Sequence, residues 1–214
     1  MKVLLSAATP QEIKPFLEKS KTHNSWDACI TGVGLMAATF SLTKVLLEKE
    51  YELVLQAGVA GSFVPAFPPG ALAVVQQEYL GDLGAEDHSI FKDIFELGLL
   101  GQDEMPFQNK ALVNPMATYP FQKMLPAVTA ITVHTVSGHA PTIAARARKF
   151  GAVLESMEGA ALHYVCLKLG IPFLQLRAVS NFVEPRNRNN WQMPLAINNL
   201  NEQLWKWHGE LTGK

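Results

Sequence analysis

Short apolar runs alternate with longer segments of helical periodicity along this chain, and this alternation constrains the fold more than any other feature. The runs predict strands over 2–7, 28–32, 52–58, 71–79, 128–136 and 172–180. The apolar spacing predicts helices over 10–19, 34–48, 140–149, 157–169 and 190–207. The runs are continuous rather than alternating, which is typical of strands that are covered on both faces of a largely parallel sheet. We therefore expect a layered α/β domain.

The length and the internal organisation favour one domain over residues 1–214. The chain has no repeat, no low-complexity tract and no linker that would divide it. Residues 78–120 are rich in Gly, Asp and Phe, and their weak periodicity predicts a loop-rich excursion from the main sheet.

Charge and composition exclude several classes of protein. Basic residues number 18 and acidic residues 19, so neutralisation of a phosphate backbone cannot drive binding, and we expect no nucleic-acid partner. Residues 53–77 carry no charge, but their glycines and prolines favour strand, turn and strand over a membrane helix. Cys29 and Cys166 have no paired spacing and are interpreted as reduced thiols of a cytoplasmic protein. None of the 6 histidines has a second ligand at a useful spacing, so we expect no metal.

A glycine-rich segment follows the second predicted strand. The pattern Gly32-x-Gly34-x-x-Ala37 superficially matches a dinucleotide-binding fingerprint, but the acidic residue expected about twenty positions later is replaced by Gly58 and apolar neighbours. We interpret the small residues as a tight turn with close helix packing, and no nicotinamide cofactor is favoured.

Two glutamates begin predicted helices, and each has a structural and a functional interpretation. Glu12 follows Thr9 and Pro10, so it fits the glutamate of a capping box as well as a catalytic carboxylate. Glu158 stands at the start of the helix near 157 among apolar residues, where the helix dipole would stabilise its charge.

Polar residues also follow two very apolar strands. Residues 58–62, Gly-Val-Ala-Gly-Ser, predict a turn at the carboxyl edge of the sheet, either a ligand-cradling turn or a plain strand exit. Arg177 and Asn181 end the strand that starts at Pro172, and buried polar groups without partners are costly, so these side chains are candidates for function.

Five motifs in order resemble the purine nucleoside phosphorylase and nucleosidase superfamily. They are AATPQE, QAGVAGS, VSGHAPT, SMEGAA and RAVSN, and together they span most of the chain. Within the superfamily, GDLGAED and SNFVEPRNRNNWQMPLAI are similar to futalosine hydrolases, nucleosidases of an alternative menaquinone pathway. The resemblance implies a single-domain, three-layer sandwich with a central mixed, largely parallel sheet, and hydrolysis of futalosine to hypoxanthine and dehypoxanthinyl futalosine without a cofactor.

The resemblance also implies roles for individual residues. Glu12 matches the carboxylate that activates water, and Glu158 the one that accepts the ribose hydroxyl protons. The other matching positions are Met157 against the sugar, Arg177 beside Glu158, the backbone of Val59, Ala60 and Gly61 along the nucleoside, and Pro141, Thr142 and Phe182 near the base.

Asn181 departs from the pattern of methylthioadenosine and adenosylhomocysteine nucleosidases, which resemble this chain but carry aspartate there. An amide cannot act as a general acid, but it can donate to a 6-oxo group or to N7, which matches hypoxanthine better than adenine. No arginine precedes Arg146, whereas phosphorylases of the superfamily use such arginines to hold phosphate. Hydrolysis is therefore preferred over phosphorolysis.

Alternatives remain at this point: a methylthioadenosine or adenosylhomocysteine nucleosidase, a purine nucleoside phosphorylase, or a binding protein without turnover. The benzoate on the 5′ side of futalosine invites a basic partner, for which Arg186, Arg188, Arg146 and Arg148 are candidates. The resemblance further implies a homodimer or a higher homo-oligomer, a small purine nucleoside as the ligand, and no membrane partner.

Overall fold

The protein is an α/β domain in a computed structural model that describes residues 1–20, 26–88, 90–115 and 125–212. Its ten described strands are β1 (Val3–Ala7), β2 (Asp27–Ile30), β3 (Leu53–Ser62), β4 (Leu72–Leu80), β5 (Gly84–Asp87), β6 (Ile90–Asp93), β7 (Leu112–Val113), β8 (Ala127–Thr132), β9 (Leu154–Ser156) and β10 (Phe173–Phe182). Its five described helices are α1 (Pro10–Ser20), α2 (Leu35–Glu48), α3 (Ala140–Phe150), α4 (Gly159–Leu169) and α5 (Met193–Thr212).

Eight of these strands form one mixed sheet. Strand β3 lies between β1 and β10, and both pairs are parallel. The pairs β1–β2, β4–β8 and β8–β9 are also parallel, whereas β10–β4, β3–β9 and β4–β7 are antiparallel. The predicted α/β class with a central mixed sheet is therefore confirmed.

Both faces of the central strands are buried under helices. On one face, Leu5 of β1 and Leu55 of β3 pack with Phe16 of α1 and Leu204 of α5. On the other face, neighbouring strand residues such as Leu4 and Val54 pack with Leu42 of α2 and Leu162 of α4. Successive side chains of a strand point to opposite faces, so coverage on both sides explains why the apolar runs in the sequence are continuous.

The carboxyl end of β3 differs from the prediction. Residues 58–62 were expected to form a turn, but the strand continues to Ser62. The reason is pairing on both sides: Gly58 to Ser62 run beside Arg177 to Phe182 of β10, and Gly61 and Ser62 also pair with Glu155 and Leu154 of β9. The turn prediction was wrong because nothing local in the sequence announces these distant partners.

The region 78–120 leaves the main sheet where β4 ends. It contains a separate two-stranded sheet of β5 and β6, and it returns through β7, which pairs with β4. These strands of two to four residues, which are largely or partly exposed, give too little periodicity to be predicted. Among the residues that the structure describes, no helix combines the length and the apolar character that a membrane span requires.

Candidate active site

Glu12 lies in the first turn of α1, and its two carboxylate oxygens have different partners. Oε2 accepts hydrogen bonds from the backbone N–H and the hydroxyl of Thr9, at 2.9 and 3.2 Å, which is the capping-box contact. Oε1 accepts the backbone N–H of Val59 on β3 at 3.1 Å. The cap therefore fixes one oxygen while the other faces the central sheet, so the structural and the functional interpretations of Glu12 are compatible.

Glu158 occupies the N-cap position of α4, but its carboxylate is directed to another helix. Oε1 accepts the backbone N–H of Gly34 at 2.8 Å, and Gly34 is the N-cap residue of α2. Gly34 has φ +91°, a conformation that favours glycine. The glycine-rich segment thus serves to hold this carboxylate. A Cβ on Gly32 would lie 3.1 Å from Cβ of Ala37, in agreement with the predicted tight turn and close packing.

Arg177 on β10 stands between the two glutamates. Its side chain is 1% exposed, and Nη2 donates to Oε1 of Gln56 at 2.7 Å. Gln56 in turn donates to the carbonyl of Glu158 at 3.3 Å. A Cβ built on Gly58 would lie 2.3 Å from Nη1 of Arg177 and 2.9 Å from Oε1 of Glu12. Gly58 therefore leaves space for the guanidinium of Arg177 and the carboxylate of Glu12 on the same side of β3.

The charges of this group act on one another. Burial raises the pKa of the Glu158 carboxyl, Arg177 and the N–H of Gly34 lower it, and the charge of Glu12 raises it further. The cluster of Glu12, Glu158, Arg177, Gln56 and Val59 is called the carboxylate end of the site below. Its chemistry suits a carboxylate that polarises water and a second one that accepts hydroxyl protons.

Asn181 belongs to a second group, further along β10. Its Nδ2 donates to the carbonyl of Phe182 and its Oδ1 accepts the hydroxyl of Ser180, both at 2.7 Å. An amide has two N–H donors and two acceptor lone pairs, so one of each remains for a ligand. Asn181 lines an open cleft, which is called the amide end below. The cleft is lined by Gly61, Val136, Ser137, Glu155, Asn181, Phe182, Val183, Glu184, Arg186, Asn187 and Trp191.

Strands β3 and β10 connect the two ends. Arg177 pairs with Gly58, and Asn181 pairs with Gly61, with a register shift between Val179 and Asn181. Gly58 and Gly61 are three residues apart, which is a span of about 10 Å along a strand. The cleft reaches Asn181 and Gly61, whereas Glu12, Glu158 and Arg177 lie outside its lining.

The remaining predicted residues divide between these ends and the rest of the molecule. The Val59 backbone contacts Glu12, whereas the side chain of Ala60 packs in the core with Val179. Met157 is half-buried between β9 and α4. Pro141 is exposed in the first turn of α3, and the Thr142 hydroxyl faces His139 at 3.4 Å. Neither of these two lines the cleft, which is bounded instead by Val136 and Ser137 of the same VSGHAPT motif.

The four candidate arginines have different surroundings. Arg146 donates to Glu155 at 3.2 Å and to Asp82 at 3.4 Å, so its charge is already paired. Arg148 is exposed on α3. The guanidinium groups of Arg186 and Arg188 lie 5.2 and 5.7 Å from the ring centroid of Trp191. Of the four, Arg186 alone lines the cleft.

Several site residues gave only a weak signal in the sequence. Gln56 lies within the quoted QAGVAGS motif, and Trp191 follows VEPRNR, but nothing distinguished either from its neighbours. Glu155 on β9 pairs with Gly61 of β3. Its carboxylate accepts hydrogen bonds from the N–H and the hydroxyl of Ser137 at 2.7 and 2.6 Å. Its strand has only three residues, so there was no signal in the sequence for this buried carboxylate. Within the described ranges, no three His, Cys, Asp or Glu side chains gather closely enough to hold a metal ion.

Comparison with known proteins identifies the family of the chain. Residues 27–204 match the sequence profile of the phosphorylase superfamily. A futalosine hydrolase of Streptomyces coelicolor is 34% identical over 199 residues, which is 90% of this chain and 83% of that protein. A futalosine hydrolase of Thermus thermophilus is 30% identical over 79% of this chain and 75% of its own length.

Solved structures share the fold at lower identity. The native futalosine hydrolase of Helicobacter pylori superimposes with a TM-score of 0.81 at 19% identity, over 98% of both chains. A 5′-methylthioadenosine/S-adenosylhomocysteine nucleosidase of Helicobacter pylori, bound to butyl-thio-DADMe-Immucillin-A, gives a TM-score of 0.82 at 20% identity, again over 98% of both chains. The chain belongs to the phosphorylase superfamily, in the group that includes these futalosine hydrolases.

Proposed function

We propose that this protein is a nucleosidase that hydrolyses the N-glycosidic bond of futalosine and releases hypoxanthine and dehypoxanthinyl futalosine. Relatives at 30–34% identity carry the name futalosine hydrolase, and they cover most of the chain. The observation that carries the proposal is the pair of buried glutamates near Arg177, close to the cleft that holds Asn181. Arg177 pairs with Gly58 of β3 and Asn181 pairs with Gly61, three residues further along the same strand.

At the carboxylate end, Glu12 takes a proton from the attacking water. The water oxygen forms a bond to the anomeric carbon, the carbon–nitrogen bond to the base breaks, and the base leaves with the electron pair. General-base assistance of this kind contributes about 10²–10⁴ in rate. Support comes from the capping contact, which holds Oε2 of Glu12 and leaves Oε1 directed to Val59 at 3.1 Å.

Glu158 accepts hydrogen bonds from the two ribose hydroxyl groups, and Met157 packs against the sugar. Burial raises the pKa of Glu158, and the positive charge of Arg177 and the N–H of Gly34 oppose that rise and so favour the anionic acceptor. The oxocarbenium character of the sugar in the transition state is stabilised by the same anions.

At the amide end, Asn181 donates a hydrogen bond to the leaving purine and stabilises the charge that develops on it. The contacts to Ser180 and Phe182 fix its side chain, so its remaining N–H is oriented before the base arrives. A 6-oxo purine accepts this donor, whereas a 6-amino group would meet it with another N–H. The backbone of Val59, Ala60 and Gly61 borders the nucleoside, and Phe182 in the cleft lining packs near the base.

The substituent on the 5′ side of the ribose carries a benzoate, and we assign Arg186 as its partner. Support comes from the position of Arg186 in the cleft lining beside Trp191, an aromatic ring that can pack against the benzoate ring. Arg146 is paired with Asp82 and Glu155 and is a weaker candidate for this role.

We further propose a homodimer that works in the cytoplasm within menaquinone biosynthesis, built as a three-layer sandwich on a largely parallel sheet. The outer surface of α2 supports the dimer: Met36 is 80% exposed and Phe40 is 71% exposed, one helical turn apart. Adjacent exposed apolar side chains of this size are typical of an interaction surface.

A product assay tests the function. The purified protein is incubated with futalosine, inosine and methylthioadenosine, with and without phosphate, and the released base and the sugar product are identified. We expect hypoxanthine from futalosine at a rate that phosphate does not change. Release of adenine from methylthioadenosine in preference would favour the other nucleosidase, a ribose phosphate product would favour a phosphorylase, and binding without release would favour a binding protein.

A further inference from the structure

Glu78 on β4 is a fully buried carboxyl group that the proposed mechanism does not use. Its Oε1 accepts the hydroxyl proton of Thr132 at 2.8 Å. The same hydroxyl oxygen accepts the backbone N–H of Ala160 at 2.8 Å. Ala160 lies in the first turn of α4, two residues after the N-cap residue Glu158. One hydroxyl therefore links Glu78 to the helix start that presents Glu158.

Gly159 brings the same carboxyl group close to the helix backbone. A Cβ on Gly159 would lie 2.3 Å from Oε2 of Glu78 and 2.4 Å from Nε2 of Gln175. Any larger residue would push Glu78 and Gln175 away from α4. The absence of a side chain at Gly159 therefore lets this carboxyl group approach the start of α4.

Charge connects Glu78 to the other members of the carboxylate end. Burial raises the pKa of Glu78 to about 7, although the Thr132 hydrogen bond, the charge of Arg177 and the Gln175 side chain act in the opposite direction, and the charge of Glu158 raises it further. His163 on α4 is also fully buried, and desolvation lowers its pKa to about 4, so it is neutral near pH 7. The charged groups that act on Glu78 are thus Arg177 and Glu158, with neutral His163 nearby.

We infer that Glu78 is a positioning residue for Glu158. Glu78 holds Glu158 in place through Thr132 and the start of α4, and both carboxyl groups interact with the charge of Arg177. The inference rests on the proposed role of Glu158 at the sugar. Glu78 contacts no substrate in this account, since it lies behind the helix start.

The sign of the coupling follows from electrostatics. Burial and the charge of Glu158 both raise the pKa of Glu78, which lies at about 7, so Glu78 is still neutral while Glu158 ionises. The two carboxyl groups therefore titrate as a coupled pair, and removing the charge at position 158 must lower the pKa of Glu78.

The test combines Glu78→Gln with an exposed control, Glu86→Gln, in the full-length protein. Carbon-13 NMR of glutamate-labelled protein follows the carboxyl resonances with pH, and Glu78→Gln identifies the resonance of Glu78 by removing one titration near neutral pH. We expect Glu158→Gln to move the Glu78 midpoint to lower pH, whereas Glu86→Gln leaves it unchanged. An unmoved Glu78 midpoint in Glu158→Gln would overturn the inference.

A kinetic measurement separates positioning from a general effect on folding. Misplacing Glu158 weakens its contacts to the ribose hydroxyls and to the positive charge of the transition state, so Glu78→Gln and Thr132→Val should lower kcat/KM for futalosine about three- to tenfold. A loss of kcat/KM that is fully explained by a smaller folded fraction, measured by circular dichroism, would contradict positioning. If the unmodified protein released no base, the proposed function would fail while the NMR titration still decided the coupling.

Discussion

The carboxylate end and the amide end of the site differ in burial and in charge. The carboxylate end is buried and charged, with Glu12 and Glu158 each 7% exposed and each bound by a backbone N–H from another element. The amide end is an open cleft in which the neutral side chain of Asn181 is held by its sequence neighbours. In the proposed mechanism, the charges that act on the reacting bond are fixed in a buried environment, where electrostatic interactions are strong. Recognition of the base, in the same proposal, depends on the hydrogen-bond matching that a half-buried amide offers.

The largest effect is expected at Glu12. Glu12→Gln keeps the size of the side chain and removes its basicity, so hypoxanthine release should fall by about 10²–10⁴. Binding of hypoxanthine or of futalosine, measured by calorimetry, should remain, because the amide end is untouched. Turnover within a few fold of that of the unmodified protein would show that Glu12 is not the general base. The proposed division of roles between the carboxylate end and the amide end would then be wrong.

A smaller loss is expected when space is taken from the carboxylate end. Gly58→Ala would place a Cβ 2.3 Å from Nη1 of Arg177 and 2.9 Å from Oε1 of Glu12. Displacement of either group should lower kcat/KM for futalosine about 10²-fold. The matched control is Gly101→Ala, whose Cβ would meet its nearest atom at 3.5 Å. Equal activity of the two variants would show that the site tolerates movement of these charges.

At the amide end, a substitution should change the choice of base more than the rate. Asn181→Asp replaces the donor of the amide by a carboxyl group that accepts from a 6-amino group. We expect the ratio of kcat/KM for methylthioadenosine over that for inosine to rise about tenfold. Competition experiments with both nucleosides measure the ratio directly, and an unchanged ratio would separate Asn181 from base recognition.

The smallest effect is expected at the rim of the cleft. Arg186→Ala should raise KM for futalosine about three- to tenfold and leave KM for inosine unchanged, since inosine has no benzoate. Arg188→Ala is the matched control, because Arg188 also lies over Trp191 but does not line the cleft. Equal effects of Arg186→Ala on both substrates would show that Arg186 does not bind the benzoate.

Much of the fold could be predicted because its signals are local. Continuous apolar runs identified the strands β1, β3, β4 and β10, and the prediction for α1 differs from the observed helix by one residue. The short strands β5, β6, β7 and β9 could not be predicted, because two to four residues give no usable period. The continuation of β3 through Gly58 and Gly61 depends on β10, more than a hundred residues away.

Candidate site residues stand out in the sequence where a side chain has no local use. Arg177 and Asn181 were unusual in an apolar strand, and the sequence singled them out for that reason. Gln56 was not singled out, and Gly34 was interpreted only as part of a tight turn, because their contacts to Arg177 and Glu158 join elements that are distant in the sequence. Glu155 was equally hidden, since its partner Arg146 lies on α3. Partnerships between distant elements are a property of the fold, and a single sequence does not display them.

The central claim is that Glu12 and Asn181 bracket one nucleoside. A crystal structure of Glu12→Gln with futalosine bound tests it directly, because we expect this variant to bind futalosine with strongly reduced turnover. We predict the anomeric carbon beside the side chain at position 12, the ribose hydroxyls on Glu158 and the purine on Asn181. A futalosine molecule seated in the cleft with its ribose turned away from Glu158 and position 12 would contradict the account.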